Sequence, residues 1–173
     1  MRFEAFDWEE RTLRSPEQLQ AVSRLAKAQG LRVVTTNGCF DLLHLGHVHI
    51  LQEAARQGDV LIVGLNSDAS VRRNKGDRRP LMPENERAEI LLAIEGVDYV
   101  YLFDEPTCVR FVELAQPDVH VNDASYGEDC VEGEAVRAGG GRLHLVEKIE
   151  CPSTSDVIRR IVMSSPEHSG KKP

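Results

Sequence analysis

Five short runs rich in apolar and β-branched residues punctuate this chain, at 31–36, 60–65, 97–103, 118–121 and 143–146, and helical spacing fills the gaps between them. The second run, Val60-Leu61-Ile62-Val63-Gly64-Leu65, is apolar throughout and bounded by Gly58-Asp59 and Asn66-Ser67-Asp68. Continuous apolar strands of this kind suit a parallel sheet covered on both faces. Helices are predicted over 48–56, 84–95, 107–115 and 129–138, the last broken by Gly139-Gly140-Gly141. The alternation predicts an α/β fold, a Rossmann-like doubly wound parallel five-stranded sheet with its ligands at the carboxyl ends of the strands. Ahead of the first strand, Ser15 as N-cap, Pro16 and Gln18 open a further helix, with Leu19, Val22 and Leu25 at helical spacing and Gly30 as its stop. Residues 1–30 thus form an N-terminal extension and leading helix, 31–163 the main domain, and 164–173 a polar tail expected to be disordered.

The first strand runs into Asn37-Gly38-Cys39-Phe40-Asp41-Leu42-Leu43-His44-Leu45-Gly46-His47. A strand, a small-residue turn and a helix start make an anion site, because free backbone N–H groups and the positive end of the helix dipole point to one spot. His44 and His47, three apart, fall on one side of a helical first turn, and imidazole donates hydrogen bonds to phosphate oxygen. The same two histidines could be plain polar surface. Cys39, His44, His47 and His49 also raise a metal reading, but their spacings do not fit the paired patterns of structural zinc, and no metal ligand is expected from the protein.

No apolar run reaches membrane-spanning length, and the acidic N-terminus lacks the order of a signal peptide. Cys39, Cys108, Cys130 and Cys151 follow no disulfide framework, which predicts a reducing cytoplasm. A net charge of −7 argues against nucleic-acid binding. Within that acidic chain, residues 72–79 carry five positive side chains against one Asp. This stretch reads as a basic loop, either merely solvated or suited to a small polyanion.

At this point a resemblance emerges. Thr36 through His47 resembles the signature of cytidylyltransferase-like nucleotidyltransferases, and more closely the adenylyltransferase part of bacterial ADP-heptose synthases. Asn66-Ser67-Asp68, Lys75-Gly76 with Arg79-Pro80, and Ser153-Thr154-Ser155 with Arg159 agree in order and spacing. The resemblance implies that a sugar phosphate attacks the α-phosphate of ATP in line and releases pyrophosphate, with Mg²⁺ bridging the phosphates. It gives His44, His47, Lys75 and Arg159 catalytic roles. It gives Thr36, Asn37, Gly38, Cys39, Phe40, Arg87, Ser153, Thr154 and Ser155 to the nucleotide, and Asp41, Asn66, Asp68, Asn122 and Tyr126 to the acceptor. Taken alone, the Ser153–Ser155 cluster is also an ordinary helix cap, Arg87 a surface arginine, and Asp41 a partner for a nearby base.

One stretch departs from the family. Where ADP-heptose synthases carry Lys-Gly-Gly-Asp-Tyr, this chain has Asn122-Asp123-Ala124-Ser125-Tyr126, without the lysine or the aspartate at the expected places. With no sugar-kinase part ahead of it, the chain resembles a stand-alone transferase, D-glycero-β-D-manno-heptose 1-phosphate adenylyltransferase, serving ADP-heptose and surface-glycan synthesis. A cytidylyltransferase for glycerol 3-phosphate or another alditol phosphate, and a nucleotide-binding module without catalysis, are the competing expectations. Small-molecule substrates, no membrane partner and a homodimer complete the reading.

Overall fold

In the computed structural model, which describes residues 7–164, the chain opens with α1 (Trp8–Arg11), β1 (Thr12–Leu13) and α2 (Pro16–Ala28). There follow β2 (Val33–Gly38), α3 (Leu45–Ala55), β3 (Val60–Asn66), α4 (Asp68–Lys75), α5 (Glu84–Leu92) and β4 (Tyr99–Phe103). The rest is α6 (Val109–Ala115), β5 (Val119–Asp123), a single 3-10 turn, α7 (Gly133–Ala138), β6 (Arg142–Val146) and α8 (Thr154–Ser164). The strands are parallel and ordered β1-β4-β3-β2-β5-β6.

Strand pleating sends alternate residues of the inner strands to opposite faces, and each face has its own core. Val34, Leu61, Val63 and Leu65 pack with Leu51 and Ala54 of α3 and Ala88, Leu91 and Leu92 of α5. Val33 and Ile62 pack on the other side with Leu19 of α2, Phe111, Val112 and Ala115 of α6, and Val136 of α7. Ser15 and Gln18 form the expected reciprocal cap of α2.

The sheet corrects the expected strand count. It has six strands, because Thr12 and Leu13 pair with Val100 and Tyr101 at the edge beyond β4. Two residues are too few to show an alternating pattern. The basic stretch is not all loop. Ser67 caps α4 by accepting from the Ser70 N–H, Asp68 sits in its first turn, and Arg72, Arg73 and Lys75 sit in its last, charges that suit the helix dipole at both ends. Gly76, at φ +89, ends it. The Asn37-Gly38 turn is also displaced: both residues stay in β2, opposite Gly64 and Leu65, and the chain turns after them. The expected disordered tail, apart from Ser164 at the end of α8, lies outside the described residues.

Candidate active site

His44 stands at the N-cap of α3, so the helix starts earlier than its apolar pattern predicts. Its Nδ1 accepts the Gly46 N–H at 3.1 Å, doing the work of the usual capping oxygen. In the neutral ring that bond leaves the proton on Nε2, available to a ligand. Gly46 is needed for this packing, since a Cβ there would lie 3.0 Å from both the His44 ring and Cys151 Sγ. His47, in the first turn, stacks on His44 with ring centroids 3.9 Å apart, and Phe40 meets its edge at 5.3 Å.

The stacked pair is uncharged at neutral pH. Burial lowers the pKa of His47 to about 4, with His44 beside it adding to the effect while the Leu42 backbone works the other way. Burial lowers His44 as well, and Lys148 contributes. The consequence for stability follows from the sign of the His47 shift. Above pH 6.5 both folded and unfolded chains hold the ring neutral, and nothing is gained. Between pH 6.5 and about 4 the unfolded chain takes up a proton that the folded site refuses, so stability falls as pH falls. His47→Gln is expected to remove up to about 3 kcal/mol of that acid-linked loss, read from urea unfolding at pH 7 and pH 4.5. Equal acid sensitivity in the two proteins would contradict the buried neutral imidazole.

The histidines face a cleft of about 680 Å³, within the range of small-ligand sites. Asn37, Gly38, Cys39, Phe40, Asp41, Asn66, Lys75, Asn122, Tyr126, Ser153, Thr154 and Ser155 line it with them. The N-terminus of α8 is drawn toward that of α3 where the Thr154 hydroxyl donates to the Leu42 carbonyl at 3.2 Å. Two helix N-termini thus meet at one cleft, and their dipole ends add for an anion.

Four of the residues singled out in the sequence lie elsewhere. Thr36 is buried within β2. Arg159 is exposed on α8 and pairs with Asp156 at 3.0 Å. Arg87, 1% exposed, runs beneath the cleft. Its Nε donates to Met82 O, Nη1 to Cys39 O, and Nη2 to Asn66 O and to Asp68 Oδ1. Asp68 is therefore its ion-pair partner. Asp41 is engaged too: Oδ1 accepts the Leu81 and Met82 N–H groups and Oδ2 pairs with Arg79 at 2.5 Å, which ties residues 79–82 to the histidine turn.

Lys148, which sequence reasoning passed over, also lines the cleft and acts on His44 and Asp123. Its position just past β6, at a strand's carboxyl end, is the signal that could have found it. The Asn122 side chain turns inward, its Nδ2 donating to the buried Glu132 and its Oδ1 accepting from the Asp123 N–H.

Known proteins resemble this chain. Bifunctional protein HldE of Citrifermentans bemidjiense is 51% identical over 138 residues, which cover 79% of this chain and 28% of that protein. The protein of the same name from Geotalea uraniireducens is 49% identical over 150 residues, 86% of this chain and 31% of that one. The chain thus spans less than a third of the length of these relatives. Among solved structures, the lipopolysaccharide core biosynthesis protein from Thermoplasma volcanium superposes with a TM-score of 0.56 at 28% identity, over 71% of this chain and all of that one. Pantothenate synthetase from Thermus thermophilus has the same fold at a TM-score of 0.59 and 18% identity, over 91% of this chain and 68% of that one. The family model of cytidylyltransferase-like proteins matches residues 35–160, from β2 into α8, and by that match the chain belongs to the cytidylyltransferase-like family.

Proposed function

We propose that this protein transfers AMP from ATP to a sugar 1-phosphate, with D-glycero-β-D-manno-heptose 1-phosphate as acceptor, to give ADP-heptose for surface-glycan synthesis. The single observation that carries the reading is the meeting of His44, His47, Lys75 and the α8 cap in one cleft. The likeness to HldE proteins over most of the chain supports the acceptor. In this reaction an acceptor phosphate oxygen forms a bond to the α-phosphorus as the bond to the pyrophosphate oxygen breaks. Negative charge gathers on the α-phosphate oxygens, and fixed N–H donors lower the barrier because they need no rearrangement. His44 Nε2–H and the His47 ring would act as such donors, and Lys75 with the Ser153–Ser155 cap would hold the leaving phosphates.

Magnesium would enter with the triphosphate. The carboxylate next to the histidine turn, Asp41, is already bound to Arg79 and two backbone N–H groups, so phosphate oxygens would hold the ion. At the acceptor end, Tyr126 and Lys148 face the cleft, and Lys148 brings a positive charge that the Asn122–Tyr126 stretch lacks.

That stretch keeps a second pairing, CTP with glycerol 3-phosphate, in the test. Pyrophosphate release is measured for ATP, CTP and GTP against heptose 1-phosphate and glycerol 3-phosphate, each with Mg²⁺. ATP with the heptose phosphate is expected to exceed every other pair by about tenfold or more in kcat/KM, a difference of ~1.4 kcal/mol. Preference for CTP and glycerol 3-phosphate would replace this assignment. No release with any pair would leave a binding module.

A further inference from the structure

In the wall of the cleft, which Cys108 and Glu132 help to line, and on the face of the sheet covered by α6 and α7, Cys108, His120 and Glu132 bring one ligand atom each to within 4.8 Å of one another. All three are buried: Cys108 stands at the start of α6, His120 in the middle of β5, and Glu132 just ahead of α7. We propose that these three side chains form a structural site for a zinc-type divalent ion that clasps β5 to the segments on either side of it, next to the acceptor end of the cleft.

The geometry carries the proposal. His120 Nδ1 is 2.8 Å from the Thr35 hydroxyl, a contact that fixes the ring and turns Nε2 inward. There Nε2 is buried and, among the described residues, has no hydrogen-bond partner. Its neighbour, Glu132 Oε1, is 3.6 Å away, too far for a hydrogen bond. Bonds of roughly 2.0–2.3 Å at a tetrahedral angle put two ligand atoms roughly 3.3–3.8 Å apart, so the separation suits two ligands of one ion. A histidine with one nitrogen held by an oxygen and the other free is the arrangement that metal-ligating histidines adopt, and ligating carboxylates are themselves hydrogen-bonded, as Glu132 is by Asn122.

Charge points the same way. Glu132 is 3% exposed and, among the described residues, has no lysine or arginine partner. A buried carboxylate needs a counter-charge, which a divalent ion supplies. A mixed thiolate, imidazole and carboxylate set selects zinc and its neighbours over magnesium or calcium. The sequence pattern hid this set because its members come from three separate elements rather than from a paired motif.

The test does not depend on which substrates the cleft accepts. Metal-free, reduced wild-type protein is titrated with Co²⁺ and followed by absorption. The expected result is one equivalent bound with a thiolate-to-cobalt charge-transfer band and tetrahedral d–d bands, both removed by Zn²⁺. Cys108→Ser is expected to lose the charge-transfer band, and His120→Gln to weaken binding at least about tenfold. Cys39→Ser is expected to keep the bands, which separates this site from the cysteine near the histidine turn. Zn²⁺ should also raise the Tm of the wild type by several degrees and leave that of His120→Gln unmoved. A wild-type protein that gives no thiolate band overturns the proposal without reference to any variant. So does a band that survives both Cys108→Ser and His120→Gln.

Discussion

His47→Ala is expected to lower kcat by about 10²–10³-fold while ATP affinity falls less than about tenfold. The asymmetry follows from where the charge is. Under the proposed reaction, ground-state ATP would be held by many groups, with the N-terminus of α3 at the α-phosphate and Lys75 at the leaving phosphates, and one imidazole would add little. In the transition state the charge on its oxygens rises beside the histidine stack, and a donor fixed by ring packing on His44 and Phe40 acts most strongly there. Single-turnover pyrophosphate release, alongside equilibrium binding of a non-hydrolysable ATP analogue, separates the two effects. Parallel losses in binding and in rate would assign His47 to substrate holding alone.

Arg87→Met is expected to lower folding stability by about 3–5 kcal/mol, read from urea denaturation. The guanidinium makes four hydrogen bonds, three to backbone carbonyls from different parts of the chain and one to Asp68. Removing it leaves those carbonyls and one partly exposed carboxylate short of a partner, with the Asn66 carbonyl in a fully buried place. Arg87→Lys is expected to recover little, because a single ammonium cannot span acceptors arranged around a planar fork. A stable Arg87→Met protein with weakened nucleotide binding would return this residue to the nucleotide.

Arg87 also shows where sequence reading reaches its limit. Its place in an amphipathic helix was legible, but its partners are carbonyls of residues 39, 66 and 82, and no periodicity reports the position of a carbonyl. Strand β3 was legible because burial on both faces demands an unbroken apolar run, and the other four longer strands because short apolar and β-branched runs stand between helical stretches. The edge strand Thr12–Leu13 was not, because its identity rests on pairing with β4 and on nothing local. Helix α4 was legible in principle, since Ser67 and Asp68 mark a helix start, but the run of basic residues after them masks the signal. In the cleft, the histidine turn and the Ser153 cap were visible as local motifs. Lys148 was hidden, because only the sheet order brings the end of β6 to the same opening.

The neutrality of the stacked imidazoles has a consequence for selectivity inside a crowded solution. A permanently cationic pair would trap chloride, free phosphate and every passing nucleotide. Rings that stay uncharged until a polyanion enters offer small ions little to hold, and an arriving triphosphate raises their proton affinity by its own field. A triphosphate bound there, as proposed, would thus recruit the protons that strengthen its grip.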